Sequence, residues 1–399
     1  MEAPPNRGFL AHAHTFLVCF GGLYALFLVP LATPVFQRNV VYLHNVRWPI
    51  NANFNLPEKY GLPPFKTVNF NMTTSDDVRL GAWLVLSDQF YQSHTASAVP
   101  TVPFTDAEVQ QALTAHPTVL FFHGNAGNRA FGFRVASYSA LSSRGANVLV
   151  IDYRGFGDSE GYPSKEGLGK DARAAWDWLS QRGVEPQNVL IMGHSLGTAV
   201  SSMLAAELSS EQITPRGLVL AAPFTSMFEL VETYSFGGVV PVLGPMRTFP
   251  WVMRFIKRFI QHPFDTASII TTVKSPILLV HAKDDSEIIP THSSNLFSAL
   301  LEPHLPPFPF TPKELLDPSF TQSRWSEIQD VSQRRKAATE QLVKNAEVEG
   351  LGQLREFERE GAGKVVHLET IRGGHNDVVN LEGVIDLLEK ETSFGRLSV

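Results

Sequence analysis

From about residue 63 the chain alternates between short runs dense in Val, Ile and Leu and longer stretches whose apolar residues recur every three or four positions. The first pattern predicts strands buried on both faces, and the second predicts helices laid against them. Six runs are of the first kind: PTVLFFHG (117–124), ANVLVIDYRG (146–155), QNVLIMGHS (187–195), RGLVLAAPF (216–224), SPILLVHAKDD (275–285) and KVVHLETI (364–371). Ahead of them, KTVNFNM and LGAWLVL read as an antiparallel pair, followed by a polar loop from about 87 to 116. Among the helical stretches GLGKDARAAWDWLSQRG is clearest, with Ala172, Trp176 and Leu179 at helical spacing. The alternation predicts an α/β fold with a mostly parallel central sheet covered by helices on both faces.

Two insertions interrupt it. The first, about 226–268, falls between the fourth and fifth of the six runs; the second, about 302–360, falls between the fifth and sixth. The second opens with EPHLPPFPFTP and continues into a charged tract ending EVEGLGQLREFEREG, which predicts a solvated helix or surface excursion. Upstream of the domain, TFLVCFGGLYALFLVPLATPVF (15–36) lies in a stretch with no Lys, Arg, Asp or Glu between Arg7 and Arg38. Its length suits a membrane-spanning signal anchor better than a cleaved signal peptide or a buried helix. The expected organisation is an anchor at 1–40, a linker at 41–62, and a domain at 63–399 carrying a lid insertion and a surface insertion.

Composition narrows the function. A 44% hydrophobic content with 28 Phe supports a large buried core. The net charge of −6 gives no general attraction to a polyanion, and no local basic signature points to nucleic acid. One cysteine, Cys19, lies inside the apolar run, so neither an intrachain disulfide nor a multi-cysteine metal site can form. Arg7 before the run nearly balances Arg38 and Arg47 after it, so charge does not orient the span. The sequon Asn71-Met72-Thr73 can be used only if the domain is lumenal.

Candidate chemistry gathers where VLIMGHSLGTAVSSML (189–204) passes from a strand pattern to a helical one. Ser195 is flanked two positions away by Gly193 and Gly197, the spacing that a sharp strand-to-helix turn requires. Such a pivot projects its hydroxyl from the carboxyl edge of the sheet, at a helix N-terminus. A serine hydroxyl is a weak nucleophile without a base, and the base needs a carboxylate to orient it. Asp284 and Asp285 follow one downstream strand and His375, in RGGHND, follows the last, which places all of them at the same edge. His281, His292 and His367 are alternative bases, but His281 and His367 sit within predicted strands and His292 begins a predicted helix. An oxyanion needs two donors: the N–H of Leu196 and an N–H in HGNAGNR, with Asn125 the expected second donor. That loop lacks the full phosphate-binding patterns, which disfavours a nucleotide site.

These residues, FFHGNAGNR, VIDYRGFGDSEGYPSKEGL, GHSLGTAV and GGHNDV, resemble the α/β-hydrolase superfamily. Behind an apolar N-terminus they are similar to its membrane-tethered monoacylglycerol and lysophospholipid lipase branch of abhydrolase-domain proteins. The similarity covers about 63 to 390 apart from the insertions. It implies Ser195 as nucleophile, His375 as base, and Asp285 as the orienting acid, because HAKDDSEIIP resembles the family's H-G-x-x-D loop. It also implies an integral membrane protein of the endoplasmic reticulum with a lumenal catalytic domain, needing no cofactor or metal. Asp152 and Arg154 of the DYRGFGDSEG turn are expected to make buried pairs that fix loops. The acid loop departs from the family by one extra residue before Pro290, and the second insertion is long.

The first insertion bears on the substrate. Trp251, Phe255, Ile256, Phe259 and Ile260 are expected largely on one helical face, with Arg254, Lys257 and Arg258 on the other. No Asp or Glu occurs from Thr233 to Phe264. Such a helix suits an anionic membrane interface or a lid lining an acyl channel; the alternative is a cap that packs its apolar face on the sheet. The expected function is a membrane-anchored serine hydrolase of lipid acyl esters, monoacylglycerol or lysophospholipid. A protein thioesterase, a peptidase or amidase of the same fold, and a non-catalytic membrane scaffold are the alternatives. Oligomeric state is left open.

Overall fold

The computed structural model describes residues 9–31, 33–95, 102–236, 240–241, 250–311, 314 and 322–395. Its strands are β1 (Thr67–Thr73), β2 (Arg79–Val85), β3 (Thr118–Phe122), β4 (Asn147–Ile151), β5 (Val189–His194), β6 (Gly217–Ala221), β7 (Ser235–Phe236), β8 (Val240–Pro241), β9 (Ile277–Ala282), β10 (Lys344–Val348), β11 (Gly352–Arg359) and β12 (Gly363–Thr370). All but the short β7–β8 ladder join one sheet in the order β1-β2-β4-β3-β5-β6-β9-β12-β11-β10. The six apolar runs form its parallel centre, and KTVNFNM and LGAWLVL form the antiparallel pair at one edge.

Every residue of β3, β4, β5, β6 and β9 is buried, which is why these runs read as continuously apolar. Alternate side chains still divide between two layers. Leu120 and Phe122 pack in the layer that holds Trp176 and Leu204, whereas Val119 and Phe121 pack with Tyr138 and Leu388. Arg129, fully buried, donates to Asp152 at 2.5 Å and to Asp158 at 2.6 Å. Arg154 pairs with Asp171 at 2.8 Å and with Asp76 at 2.9 Å. Asp152 and Arg154 therefore both fix loops by buried pairs, each with a different partner.

Three segments depart from expectation. The tract ending EVEGLGQLREFEREG is an antiparallel β10–β11 hairpin that extends the sheet beyond β12, and it is preceded by helix Gln322–Leu342. Its period of two is disguised because two of its sheltered positions are arginines. Arg355, Phe357 and Arg359 alternate along β11: Phe357 packs on Phe297, Arg355 stacks over the same ring, and buried Arg359 donates to the carbonyls of Val273, Ser275 and Ala362.

The apolar N-terminal run does not form one element. Helix Phe9–Leu31 ends before Pro34, which opens a second helix, Pro34–Tyr42. Proline supplies no N–H to continue the first helix and suits the first turn of a new one. Among the described residues, no helix is long and apolar enough to cross a membrane. The stretch 41–62 lies against the domain: Tyr42, Phe54 and Leu62 are buried, and Trp83 Nε1 donates to the Phe54 carbonyl at 3.0 Å.

In the first insertion, helix Pro250–Lys257 does not pack its aromatic side on the sheet. Met253 is buried instead, while Trp251 is 67% exposed and Phe255 55% exposed beside exposed Arg254 and Lys257. Aromatic and basic groups thus share the open face. On edge strand β1, Asn71 is exposed.

Candidate active site

The turn from β5 into helix Leu196–Ser210 passes through Ser195 at φ 53° and ψ −120°, a conformation that costs a non-glycine residue about 1–3 kcal/mol. The flanking glycines make it possible. A Cβ at Gly193 would lie 2.3 Å from the Gly197 carbonyl oxygen, and one at Gly197 would lie 2.0 Å from the Phe122 carbonyl oxygen. The Ser195 N–H is bonded to Ala221 O at 3.0 Å, so the strained pivot is tied to the neighbouring strand β6.

His375 reaches this hydroxyl from the turn after β12. Its Nε2 lies 2.9 Å from Ser195 Oγ and its Nδ1 lies 2.8 Å from Asp285 Oδ2. A carboxylate only accepts, so the proton sits on Nδ1 and leaves Nε2 as the acceptor for the serine hydroxyl. Asp285 is held in turn. Its Oδ1 accepts the N–H groups of Glu287 and Ile288, both at 2.9 Å, and His281 Nε2 lies 3.2 Å from Oδ2. Burial pushes the Asp285 carboxyl up, but the bonds from His281, His375 and Ile288 outweigh it and hold the group well below the usual carboxylate range. All three side chains are buried, and together they form one hydrogen-bonded chain from three separate loops.

The adjacent acid has a different task. Asp284 Oδ1 accepts the Gly374 N–H at 2.8 Å, which fixes the loop that carries His375. The other histidines make different bonds, and His281 makes its own beside its contact with Asp285. His281 Nε2 bonds to Ile288 O at 2.8 Å, His292 bridges the hydroxyls of Thr225 and Thr233, and His367 joins Arg355 to Ser293. His194, next to the pivot, donates from Nε2 to the His375 carbonyl at 2.8 Å.

The loop after β3 is shaped by a residue that motif reading passed over. Buried Arg134 gathers the carbonyls of Gly124 at 3.1 Å, Asn125 at 2.9 Å and Ala126 at 2.9 Å. In a trans peptide the next N–H points the opposite way, so Arg134 turns the N–H groups of residues 125, 126 and 127 away from itself. Two of these meet the N-terminal segment: Ala126 N–H donates to Tyr42 O at 2.9 Å and Gly127 N–H to Val46 O at 2.7 Å. The Asn125 N–H has no recorded acceptor among the described residues. Leu196, first in its helix, likewise has no intrahelical acceptor for its N–H. The sequence carried one clue to Arg134: it shares a helical face with buried Tyr138 and Leu141, where a charge demands a reason.

Comparison with known proteins fits this geometry. Residues 117–242 match the alpha/beta hydrolase fold family. The chain is 34% identical over 305 residues to a Xenopus tropicalis protein named lysophosphatidylserine lipase ABHD12, covering 71% of each chain. It is 31% identical over 269 residues to the human protein ABHD12B, covering 65% of this chain and 68% of the relative. A crystal structure of an alpha-beta hydrolase from Vibrio vulnificus superposes with a TM-score of 0.50 at 19% identity, over 67% of this chain and 82% of that one, which speaks to the fold alone.

Burial also sets an acid limit on this architecture. It pushes His194 down to about 3, His292 down to about 4 and His367 down to about 3, from an ordinary 6.5. Below pH 6.5 the unfolded chain therefore binds protons that the folded chain still refuses, and stability falls as pH is lowered toward those values. Each group contributes about 1.4 kcal/mol per pH unit. Urea unfolding at pH 7 and pH 5 is expected to show a clearly lower midpoint at pH 5; equal midpoints would contradict the assignment of these histidines as buried and uncharged.

Proposed function

The chain belongs to the abhydrolase-domain lipase branch of the α/β-hydrolase family, and on that premise we propose that it is a membrane-attached serine hydrolase of lipid acyl esters, with a lysophospholipid as substrate. The observation that carries the chemistry is the continuous chain Ser195 Oγ, His375 imidazole, Asp285 carboxylate. Ser195 Oγ attacks the ester carbonyl while His375 Nε2 takes its proton. The resulting oxyanion is held by the N–H groups of Leu196 and Asn125. His375 then gives the proton to the leaving glycerol oxygen, freeing the alcohol and leaving an acyl-serine. Water, deprotonated by the same imidazole, attacks the acyl-serine and releases the fatty acid. Asp285 keeps the ring in the right tautomer and stabilises its positive form throughout.

The names of the relatives favour a lysophosphatidylserine-like substrate over monoacylglycerol. Membrane attachment is supported by the apolar helix Phe9–Leu31, whose Phe16, Leu23 and Leu26 are exposed. A lumenal domain is supported by the exposed Asn71 of the sequon. Expressed in mammalian cells, the protein is expected to remain in the membrane pellet and to shift on glycosidase treatment, a shift lost in Asn71→Gln. A parent protein that shows no shift would refute the lumenal placement.

Hydrolysis of lysophosphatidylserine by the purified protein tests the chemistry directly. Ser195→Ala is expected to lower kcat by at least about 10⁴-fold, and Asp285→Asn by about 10⁴-fold. Asp284→Ala, which loses one loop hydrogen bond, should cost only about tenfold. Turnover by Ser195→Ala at the parent rate would end the proposal, and an acylated peptide cleaved far faster than the lysolipid would move it to a thioesterase or peptidase.

A further inference from the structure

The face beside the oxyanion loop combines features that the chemistry does not use. Helix Pro34–Tyr42 and the loop after it leave Val35, Val40, Val46 and Trp48 exposed. Helix Pro250–Lys257 leaves Trp251 and Phe255 exposed, and Phe259 just beyond stacks edge-on to Phe255 at 4.9 Å. The two elements are joined. Gln37 Nε2 donates to the Phe259 carbonyl at 2.5 Å, the Gln261 N–H donates to Gln37 Oε1 at 2.9 Å, and Tyr42 meets His262 edge-on at 5.1 Å. Their exposed apolar groups thus flank a common seam. A monomer in water gains nothing from exposing large aromatics side by side, so the face calls for a partner.

Charge says which partner. Neither 34–50 nor 233–264 contains an Asp or Glu, although the whole chain carries −6. Exposed Arg47, Arg254, Lys257 and Arg258 make the seam cationic against that background. A second copy of this chain does not suit, because these stretches hold no carboxylate to meet their own cations. Aromatic side chains mixed with arginine and lysine match the boundary between headgroups and acyl chains of an anionic bilayer. The position is also apt. The same N-terminal segment that presents Val46 and Trp48 outward gives its Tyr42 and Val46 carbonyls to the oxyanion loop, so whatever seats this face sits at the rim of the active site.

We propose that the face formed by helix Pro250–Lys257 and residues 34–48 docks onto a bilayer containing anionic phospholipid, with Trp251, Phe255 and Trp48 entering the interface and Arg254, Lys257 and Arg258 engaging headgroup phosphates. This deepens the reading of the protein as a membrane-attached lipid hydrolase and rests on it. It places the mouth of the site at the membrane surface, where a single-chain lipid can be drawn in without crossing water. At a roughly five-fold gain per basic residue near an anionic surface, the three cations together strengthen docking roughly 100-fold.

The test uses the full chain with Cys19→Ser and Phe255→Cys, labelled at residue 255 with an environment-sensitive fluorophore and reconstituted into vesicles. In phosphatidylcholine mixed with phosphatidylglycerol, emission is expected to rise several-fold over phosphatidylcholine alone, with the probe shielded from aqueous iodide. Arg254→Gln/Lys257→Gln/Arg258→Gln should abolish most of that shielding. A probe open to iodide in the mixed vesicles would overturn the proposal, as would shielding that grows with protein concentration and needs no vesicles. Turnover of a short water-soluble ester by the same labelled protein reports the serine chemistry separately. Its absence would sink the hydrolase reading and leave the fluorescence result to stand for docking.

Discussion

The arrangement depends on one backbone reversal. At Ser195 the chain leaves a fully buried parallel strand and enters a helix within a single residue, at positive φ, with no room for side chains at 193 and 197. That reversal places the Ser195 hydroxyl at the end of the sheet, at the N-terminus of a helix whose first N–H groups have no intrahelical acceptor. It is strained, and it persists because the rest of the core over-determines it: β5 is hydrogen-bonded on both sides, and the Ser195 N–H itself is bonded to Ala221.

Around this pivot, orientation is fixed by groups that only accept or only donate. The Asp285 carboxylate forces the His375 proton onto Nδ1, and two backbone N–H groups with two imidazoles keep that carboxylate charged despite its burial. His194 and Asp284 hold the His375 loop by its carbonyl and by the Gly374 N–H. Arg134 does the converse for the loop after β3, drawing carbonyls inward so that amide hydrogens face out. None of these supporting bonds involves a reacting atom, yet each removes a rotation that would misalign one.

What could be read from the sequence follows from how local each signal is. The central strands were legible because five of the six are buried at every residue and so are dense in Val, Ile and Leu, and Ser195 was legible because its steric demand falls on residues only two positions away. Asp285 could not be separated from Asp284 by position alone, since both lie at the same strand end. What divides them is which carboxylate meets the His375 ring and which meets the Gly374 N–H, and that is set by a loop 90 residues downstream. Arg134 and the β10–β11 hairpin were missed for a shared reason: buried arginines that satisfy carbonyls look like solvent-facing charges until their acceptors are known. The tie between residues 42–46 and the loop after β3 runs through main-chain carbonyls, which leave no mark on sequence at all.

The central claim is that His375 activates Ser195 through the bond between them. Reaction with a fluorophosphonate followed by peptide mass mapping reads this most directly, because the adduct forms only on an activated hydroxyl. A single adduct on the peptide containing Ser195 is expected, formed rapidly in the parent and lost in a folded His375→Gln protein. Labelling at another serine, or labelling of Ser195 at an unchanged rate without His375, would contradict it.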